Sequence, residues 1–191
     1  MLYRFDGFEP QVGLDSYVSE TAQVIGQVVI GNGCYVGHGA ILRGDYGRIE
    51  LGDETAIEEG AILHAPPAHT YSIGRRVTVG HGAILHGTVI GDWAVIGMGA
   101  VLSLRSEVGE WAIVAEGAVV RMRQVIPPRQ VVGGNPAEVL RELEEKDLAL
   151  WSFGKQLYVD LAKKYLAVGM QALPCSQKAS QAPGDMEPGV S

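Results

Sequence analysis

The chain has 191 residues, of which 47% are apolar but only 7% aromatic, and it contains 26 glycines. This length is enough for one domain with a sizeable core, and the composition favours a core of small aliphatic side chains. The formal charge of −7 argues against a nucleic-acid-binding surface, which needs a basic patch, and gives no reason to expect an anionic membrane as partner.

The segments that direct a chain to an export route or a membrane are missing from this sequence. Its first residues have no apolar signal segment, and no apolar run approaches membrane-spanning length. Two cysteines, Cys34 and Cys175, do not make a disulfide framework, so a reducing compartment is expected. We therefore expect a cytoplasmic protein whose partners include neither nucleic acid nor a membrane.

An aliphatic residue returns every six positions over most of the chain. The series is Val12, Val18, Val24, Ile30, Val36, Leu42; then Leu51, Ile57, Leu63; then Ile73, Val79, Leu85; then Ile90, Ile96, Leu102, Val108, Val114, Val120, Ile126, Val132. The breaks are insertions of three and four residues and one deletion. A period of six fits neither a helix face nor one long strand, and it is typical of a hexapeptide solenoid. Residues 1–134 are thus predicted to form an all-β solenoid of triangular coils about 4.8 Å apart.

The solenoid is predicted to give way to helices at residues 135–170. Asn135 is a suitable N-cap, Pro136 fits the first helical position and Glu138 completes a capping box, so a first helix is expected to about Leu150. A second helix over roughly 152–168 has an apolar stripe that should pack on the outside of the solenoid, namely Phe153, Leu157, Leu161 and Tyr165. The polar tail, residues 171–191, is expected to be disordered.

The repeat predicts which histidines are neighbours in space. His64 follows Leu63 and His86 follows Leu85, and these two leucines are three hexads apart once the insertion is discounted. The two histidines should therefore stack on successive coils, with Arg43 in the same column one coil earlier. Such a stack is a stronger indication of a metal site than a lone pair of histidines.

A third histidine, His81, falls in a different column. It lies two residues after Val79, in line with Glu59 and His38, and around a corner from the first column. One subunit should not bring His64, His81 and His86 onto one ion, but a second solenoid packed beside it could. Threefold packing would create three equivalent sites, and three imidazoles with one open position are the ligand set of a catalytic zinc site.

Four acidic or basic residues close to these histidines each allow two interpretations of their role. Arg43 and Asp45 form either an interface ion pair beside the metal or an ordinary surface salt bridge. Glu58 and Glu59 are either proton acceptors and hydrogen-bond partners at the site or a solvated acidic turn. His69, in the loop after His64, is a candidate proton shuttle or an ordinary surface histidine.

Four stretches resemble the γ-class carbonic anhydrases over about residues 10–170. They are Arg43-Gly-Asp45, Gly60-Ala-Ile-Leu-His64, Val79-Gly-His81-Gly-Ala-Ile-Leu-His86-Gly and Ile96-Gly-Met98-Gly-Ala. The sequence is also similar to the phenylacetate-pathway and carnitine-operon members of that group. The resemblance implies a left-handed parallel β-helix and a homotrimer, with Arg43 and Asp45 as an interface ion pair.

The resemblance also assigns the metal site. It makes His64 and His86 ligands from one subunit and His81 a ligand from the next, and it implies zinc, with iron or cobalt as alternatives. Tyr158 matches an aromatic or Asn position near the site in relatives, although packing of the helix would also explain it. The family commonly has Gln-Asp where this chain has Glu58-Glu59, and an ionised Glu accepts hydrogen bonds but does not donate them.

The function implied is reversible hydration of CO2 to bicarbonate by a metal-bound hydroxide at the trimer interfaces. Two alternatives remain: a metal-dependent thioesterase acting on acyl-CoA, and a catalytically silent trimeric scaffold or binding protein.

Overall fold

Short parallel strands make up most of the computed structural model, which describes residues 1–87 and 89–174. The strands are β1 Leu2–Tyr3, β2 Gln11–Val12, β3 Tyr17–Val18, β4 Gln23–Ile30, β5 Tyr35–Val36, β6 Ile41–Leu51, β7 Ala56–Ile57, β8 Ile62–His64, β9 Thr70–Ile73, β10 Thr78–Val79, β11 Ile84–Leu85, β12 Val89–Ile90, β13 Val95–Ile96, β14 Val101–Leu102, β15 Glu107–Val108, β16 Ile113–Val114, β17 Val119–Val120, β18 Val125–Ile126, β19 Gln130–Gly133 and β20 Glu138–Glu142. They are followed by the helix α1, Glu145–Val168.

The strands stack along the three faces of a left-handed triangular solenoid. One face runs β6-β8-β11-β14-β17, and a second runs β6-β9-β12-β15-β18. The long strand β6 belongs to both because it turns the corner between them. The third face has the order β3-β5-β7-β10-β13-β16-β19-β20. This arrangement confirms the fold predicted from the six-residue repeat.

The repeated aliphatic residues fill the inside of the solenoid. Four leucines follow one another in register on one face, and each is at most 1% exposed: Leu42, Leu63, Leu85 and Leu102. Burying an aliphatic side chain of this size contributes about 1.5–3 kcal/mol. Val12 is 38% exposed, because it lies at the open N-terminal end where no earlier coil covers it.

The predicted helix from Asn135 to about Leu150 is wrong. The chain instead turns at Asn135–Pro136 and returns as β20, which pairs antiparallel with β19 at the end of the solenoid. This pairing gives partners to backbone groups of β19 that the last coil would otherwise leave free. A capping box does start the helix, but it lies later, between Glu144 and Asp147.

The face by which α1 packs also differs in part from the prediction. Phe153 and Leu157 are 65% and 52% exposed, whereas Leu161 and Tyr165 do contact the solenoid. The packed side of the helix is polar as well as apolar, and its buried residues are Asp147, Lys155, Val159 and Ala162. An apolar stripe therefore predicted the existence of the helix but not the side that it buries.

The C-terminal tail is described only at its start. Residues 171–174 have no regular secondary structure, and residues 175–191, most of the segment predicted to be disordered, lie outside the described residues. In the part of the chain described, no helix has the length and apolar character needed to span a membrane.

Candidate metal centre

His64 and His86 lie side by side on one face of the solenoid. Leu63 pairs with Leu85 across β8 and β11, so the residue after each leucine occupies the same position on successive coils. The two imidazole rings are 4.9 Å apart between centroids and 20° from parallel. The stacking predicted from the repeat is confirmed, while metal binding by these residues stays a prediction.

Both ring nitrogens of His64 have partners within the subunit. Its Nε2 lies 2.9 Å from Asp45 Oδ1, and Arg43 Nη2 donates to its Nδ1 at 3.3 Å. A guanidinium group can only donate, so a neutral His64 carries its proton on Nε2. Burial raises the pKa of Asp45, but the hydrogen bond from His64 and the charge of Arg43 outweigh it, and the pKa lies below its usual value. Asp45 is therefore ionised and holds the His64 ring in place.

His86 provides the clearest test of whether these residues suit a metal ion. Its Nε2 is buried and has no hydrogen-bond partner among the described residues. Burial lowers the pKa of His86, and the charges of His64 and Arg43 lower it further, so the ring is held neutral. A buried imidazole nitrogen without a partner is costly, and a neutral imidazole is a good ligand for zinc, iron or cobalt. His86 therefore suits a metal ion, whereas the neighbouring His64 could bind one only if Asp45 or Arg43 released a ring nitrogen.

His81 lies on the third face, two residues after the end of β10, and two carboxylates contact its ring. Its Nδ1 is 2.7 Å from Glu59 Oε2, and its Nε2 is 3.1 Å from Glu58 Oε2. The same oxygen of Glu58 accepts from the backbone N–H of His81 at 3.1 Å. Nevertheless the side chain is 47% exposed, so the ring remains accessible from outside the subunit.

The two carboxylates differ in their surroundings. Glu58 is buried, and burial raises its pKa against the opposing effects of the His81 charge and the Tyr158 phenol. Burial also acts to raise the pKa of Glu59, but the hydrogen bond from Tyr35 and other nearby groups reverse the shift, so its pKa is lowered. Of the two carboxyl groups beside His81, Glu59 therefore has the lower pKa.

The three histidines do not meet within one chain. The register Val36–Ile57–Val79 places His38, Glu59 and His81 in one column, on a different face from His64 and His86. Among residues 1–87 and 89–174, no group of three or more His, Cys, Asp or Glu side chains could hold a metal ion. The separation predicted from the repeat is thus confirmed, and a complete three-histidine site needs a second subunit.

Similarity to known proteins places the chain in a family. It is 36% identical over 178 residues to a carbonic anhydrase of Geobacillus kaustophilus, covering 93% of this chain and 98% of the relative. It is 37% identical over 170 residues to the mitochondrial gamma carbonic anhydrase 1 of Arabidopsis thaliana, covering 86% of this chain and 62% of that one. The chain belongs to the γ-class carbonic anhydrase family.

The chain is also similar to a carnitine operon protein and, in its fold, to a solved hexapeptide-repeat structure. The carnitine operon protein CaiE of Citrobacter koseri is 38% identical over 181 residues, covering 95% of this chain and 92% of the relative. A solved structure of a hexapeptide transferase family protein from Anaplasma phagocytophilum superposes with a TM-score of 0.82 and 29% identity, over 86% of this chain and 98% of that one. No family model matches the sequence.

Two insertions in this γ-class chain form one ledge beside His64. Ala68 N donates to Tyr46 O at 3.0 Å and Arg48 N donates to His69 O at 3.0 Å, so the insertions after Leu42 and Leu63 pair with each other. On this ledge the Tyr46 ring is 70% exposed and lies 6.3 Å from the His64 ring, edge to face. The lengths of the insertions were visible in the sequence, but their pairing was not.

The other candidate residues lie apart from the stacked histidines. The Nδ1 of His69 bonds to Pro67 O at 2.8 Å within its own loop. His38 bonds to Ser19 Oγ at 2.7 Å and to Tyr165 Oη at 3.2 Å. Tyr158, on α1, faces Glu58 and lines a cavity of about 210 Å³ beside His81.

Sequence reasoning missed two buried residues behind this site. Tyr35 donates to Glu59 Oε1 at 2.6 Å, and Lys155 donates from α1 to Thr78 Oγ1 at 3.1 Å and to Ala94 O at 3.0 Å. Both lie where α1 covers the third face. A period-six pattern contains no signal for either residue.

Proposed function

We propose that this protein is a carbonic anhydrase that hydrates CO2 reversibly at metal centres between the subunits of a homotrimer. His64 and His86 of one subunit and His81 of the next would hold each ion. Zinc suits three neutral imidazoles best, and iron or cobalt would also be accepted.

The observation that carries this proposal is the buried, unpartnered Nε2 of His86 next to the parallel ring of His64. An imidazole pair of this kind supplies two neighbouring ligands. The third candidate, His81, is half-exposed on another face, where it can reach a neighbouring subunit. Membership of the γ class makes CO2 the first substrate to test.

When bound, an ion of this kind supplies a nucleophile at neutral pH by lowering the pKa of a coordinated water. The chain's own residues prepare the site for it. Asp45 and Arg43 orient the His64 ring within the subunit, and Asp45 would have to release the Nε2 of His64 for that ring to bind the ion. Glu59 accepts from the Nδ1 of His81, which leaves Nε2 as the ligand. Glu58 contacts that Nε2 within the subunit, so it would have to release the nitrogen and would remain close to the ion as a proton acceptor.

The cavity beside His81 in one subunit has room for a small substrate. Its volume of about 210 Å³ lies below the roughly 300–1,000 Å³ typical of pockets for drug-sized ligands. Tyr158 and Trp151 of α1 close one side of it. CO2 and bicarbonate would fit such a space, whereas an acyl-CoA would have to lie largely outside it.

Similarity to a carnitine operon protein over 95% of the chain favours a second candidate. The same metal centre could hydrolyse an acyl-CoA thioester, or the trimer could act as a scaffold without catalysis. A panel of CoA thioesters, assayed with and without a chelator, separates these roles from CO2 hydration.

Metal content, oligomeric mass and stopped-flow CO2 hydration of the same purified sample test the proposal. The wild type should be a trimer with about one ion per subunit and rapid turnover. His86→Ala should lose the ion and the activity. His38→Ala is the matched control, because His38 shares a column with His81 but has no ligand role, and it should keep both. A trimer loaded with metal but inactive towards CO2 would overturn the assigned reaction.

A further inference from the structure

A chain of hydrogen bonds connects Tyr35 of β5, which α1 covers, to the ring of His81. Tyr35 Oη donates to Glu59 Oε1 at 2.6 Å, and Glu59 Oε2 lies 2.7 Å from His81 Nδ1. The three residues come from three successive coils on the third face, in or just after β5, β7 and β10. One carboxylate therefore joins a core tyrosine to a candidate ligand.

The tyrosine end of this chain is held firmly. Tyr35 is 2% exposed, and its ring stacks on Tyr17 at 5.7 Å and lies 5.3 Å from Tyr158. Burial, and then the hydrogen bond to Glu59, raise the pKa of Tyr35 far above its usual value, so its hydroxyl stays a donor. A packed ring with a fixed donor leaves the Glu59 carboxylate little freedom to turn.

We infer that Tyr35 is a positioning residue for His81: it fixes Glu59 so that the carboxylate accepts from Nδ1 and leaves Nε2 for the metal. This inference rests on the proposed metal centre. A carboxylate behind a metal-bound histidine sets the tautomer and orientation of the ring, and loss of such a partner costs about 10–100-fold in metal affinity. Here Tyr35 in turn holds the Glu59 carboxylate, one residue further from the ion.

The simpler role for Tyr35 is packing of α1 on the solenoid, and the structure contains a control for it. Tyr165 belongs to the same aromatic cluster, stacking on Tyr17 at 4.5 Å. Its hydroxyl bonds to His38 Nε2 at 3.2 Å, in the same column as Glu59 and His81 but off the chain that leads to Nδ1. Tyr165→Phe thus removes a comparable hydroxyl without touching the support of His81.

The test compares the zinc affinity of the wild type, Tyr35→Phe and Tyr165→Phe, each as the purified native oligomer, by competition with a chromophoric chelator. The Nδ1–H resonance of His81 in the zinc-loaded proteins gives a second readout by ¹H–¹⁵N correlation. Tyr35→Phe should weaken zinc binding about tenfold and broaden that resonance through faster exchange with water. Tyr165→Phe should leave both unchanged.

The possible outcomes separate this inference from the proposed function. A wild type that binds zinc, with Tyr35→Phe binding equally well, would overturn the positioning role and leave the metal centre standing. An equal loss in both variants would also overturn it, since packing would then explain the effect. A wild type that binds none of zinc, iron and cobalt would overturn both.

Discussion

The imidazole rings of His64 and His86 lie parallel with their centroids 4.9 Å apart, and one step of the solenoid accounts for this separation. Strand pairing spaces the coils about 4.8 Å apart, so any two residues at the same hexad position meet at this distance. His81 occupies another column on another face. The geometry of the repeat thus supplies two ligands from one chain and points the third away from them.

The two carboxylates at His81 should affect metal binding in opposite ways. Glu59→Gln replaces the ionised acceptor at Nδ1 with a neutral one, so zinc affinity should fall by about tenfold or more. Glu58→Gln removes a charge that competes for Nε2, so zinc affinity should hold or rise. Chelator competition on the two variants measures both effects. The same loss of affinity in both would show that Glu58 is a partner of the ion rather than a competitor.

Lys155 should make the stability of the protein depend on pH. It is 1% exposed on the packed side of α1, and burial lowers its pKa to about 7, with Glu58 opposing the shift and Arg76 adding to it. Between that pH and the ordinary lysine pKa of about 10.4, the unfolded chain binds more protons than the folded one, so stability rises with pH. Relative to Lys155→Met, the wild type should gain up to about 1.4 kcal/mol in the free energy of unfolding per pH unit.

Denaturant unfolding of the wild type and of Lys155→Met measures this gain at a fixed protein concentration, from about pH 7 to about pH 9. Lys163→Met, at an exposed lysine of the same helix, is the control and should follow the wild type. Parallel curves for the wild type and Lys155→Met would show that the buried amine does not titrate in this range.

Because successive coils lie close together, substitution by alanine should destabilise the protein much more at some glycines than at others. A Cβ at Gly109 would lie 2.4 Å from the backbone nitrogen of Pro128 on the next coil, whereas a Cβ at Gly117 would meet nothing within 4 Å. Gly117 has a φ of 65°, so Gly117→Ala should cost about 1–2 kcal/mol for the left-handed conformation alone. Gly109→Ala should cost about 3 kcal/mol, the upper range for overpacking. Thermal unfolding compares them, and equal costs would contradict the packing argument.

The fold and the histidine columns were predictable because a period of six sets the register of a solenoid. Once Leu63 and Leu85 are placed on successive coils, the stacking of His64 and His86 follows without further information. The insertions do not change this register, because they bulge out at a corner while the aliphatic residues remain inside the solenoid.

The C-terminal part was predicted less well because its structure depends on what the solenoid leaves uncovered. Asn135, Pro136 and Glu138 have the sequence of a helix start, but the free edge of β19 pairs with β20 instead. The partner of an edge strand is a tertiary feature, and local cap residues do not reveal it. Tyr35 and Lys155 were missed for a related reason, since only the docked position of α1 shows that they are buried.

The central claim is that each metal centre is shared between subunits, and mixed trimers test it most directly. His81→Ala and His86→Ala should each bind no zinc when purified alone. If the two are co-expressed, every mixed trimer has one interface at which an intact His64–His86 pair meets an intact His81, so about one zinc ion per mixed trimer should return. Mixed trimers that stay free of zinc, or single variants that keep it, would contradict the shared site.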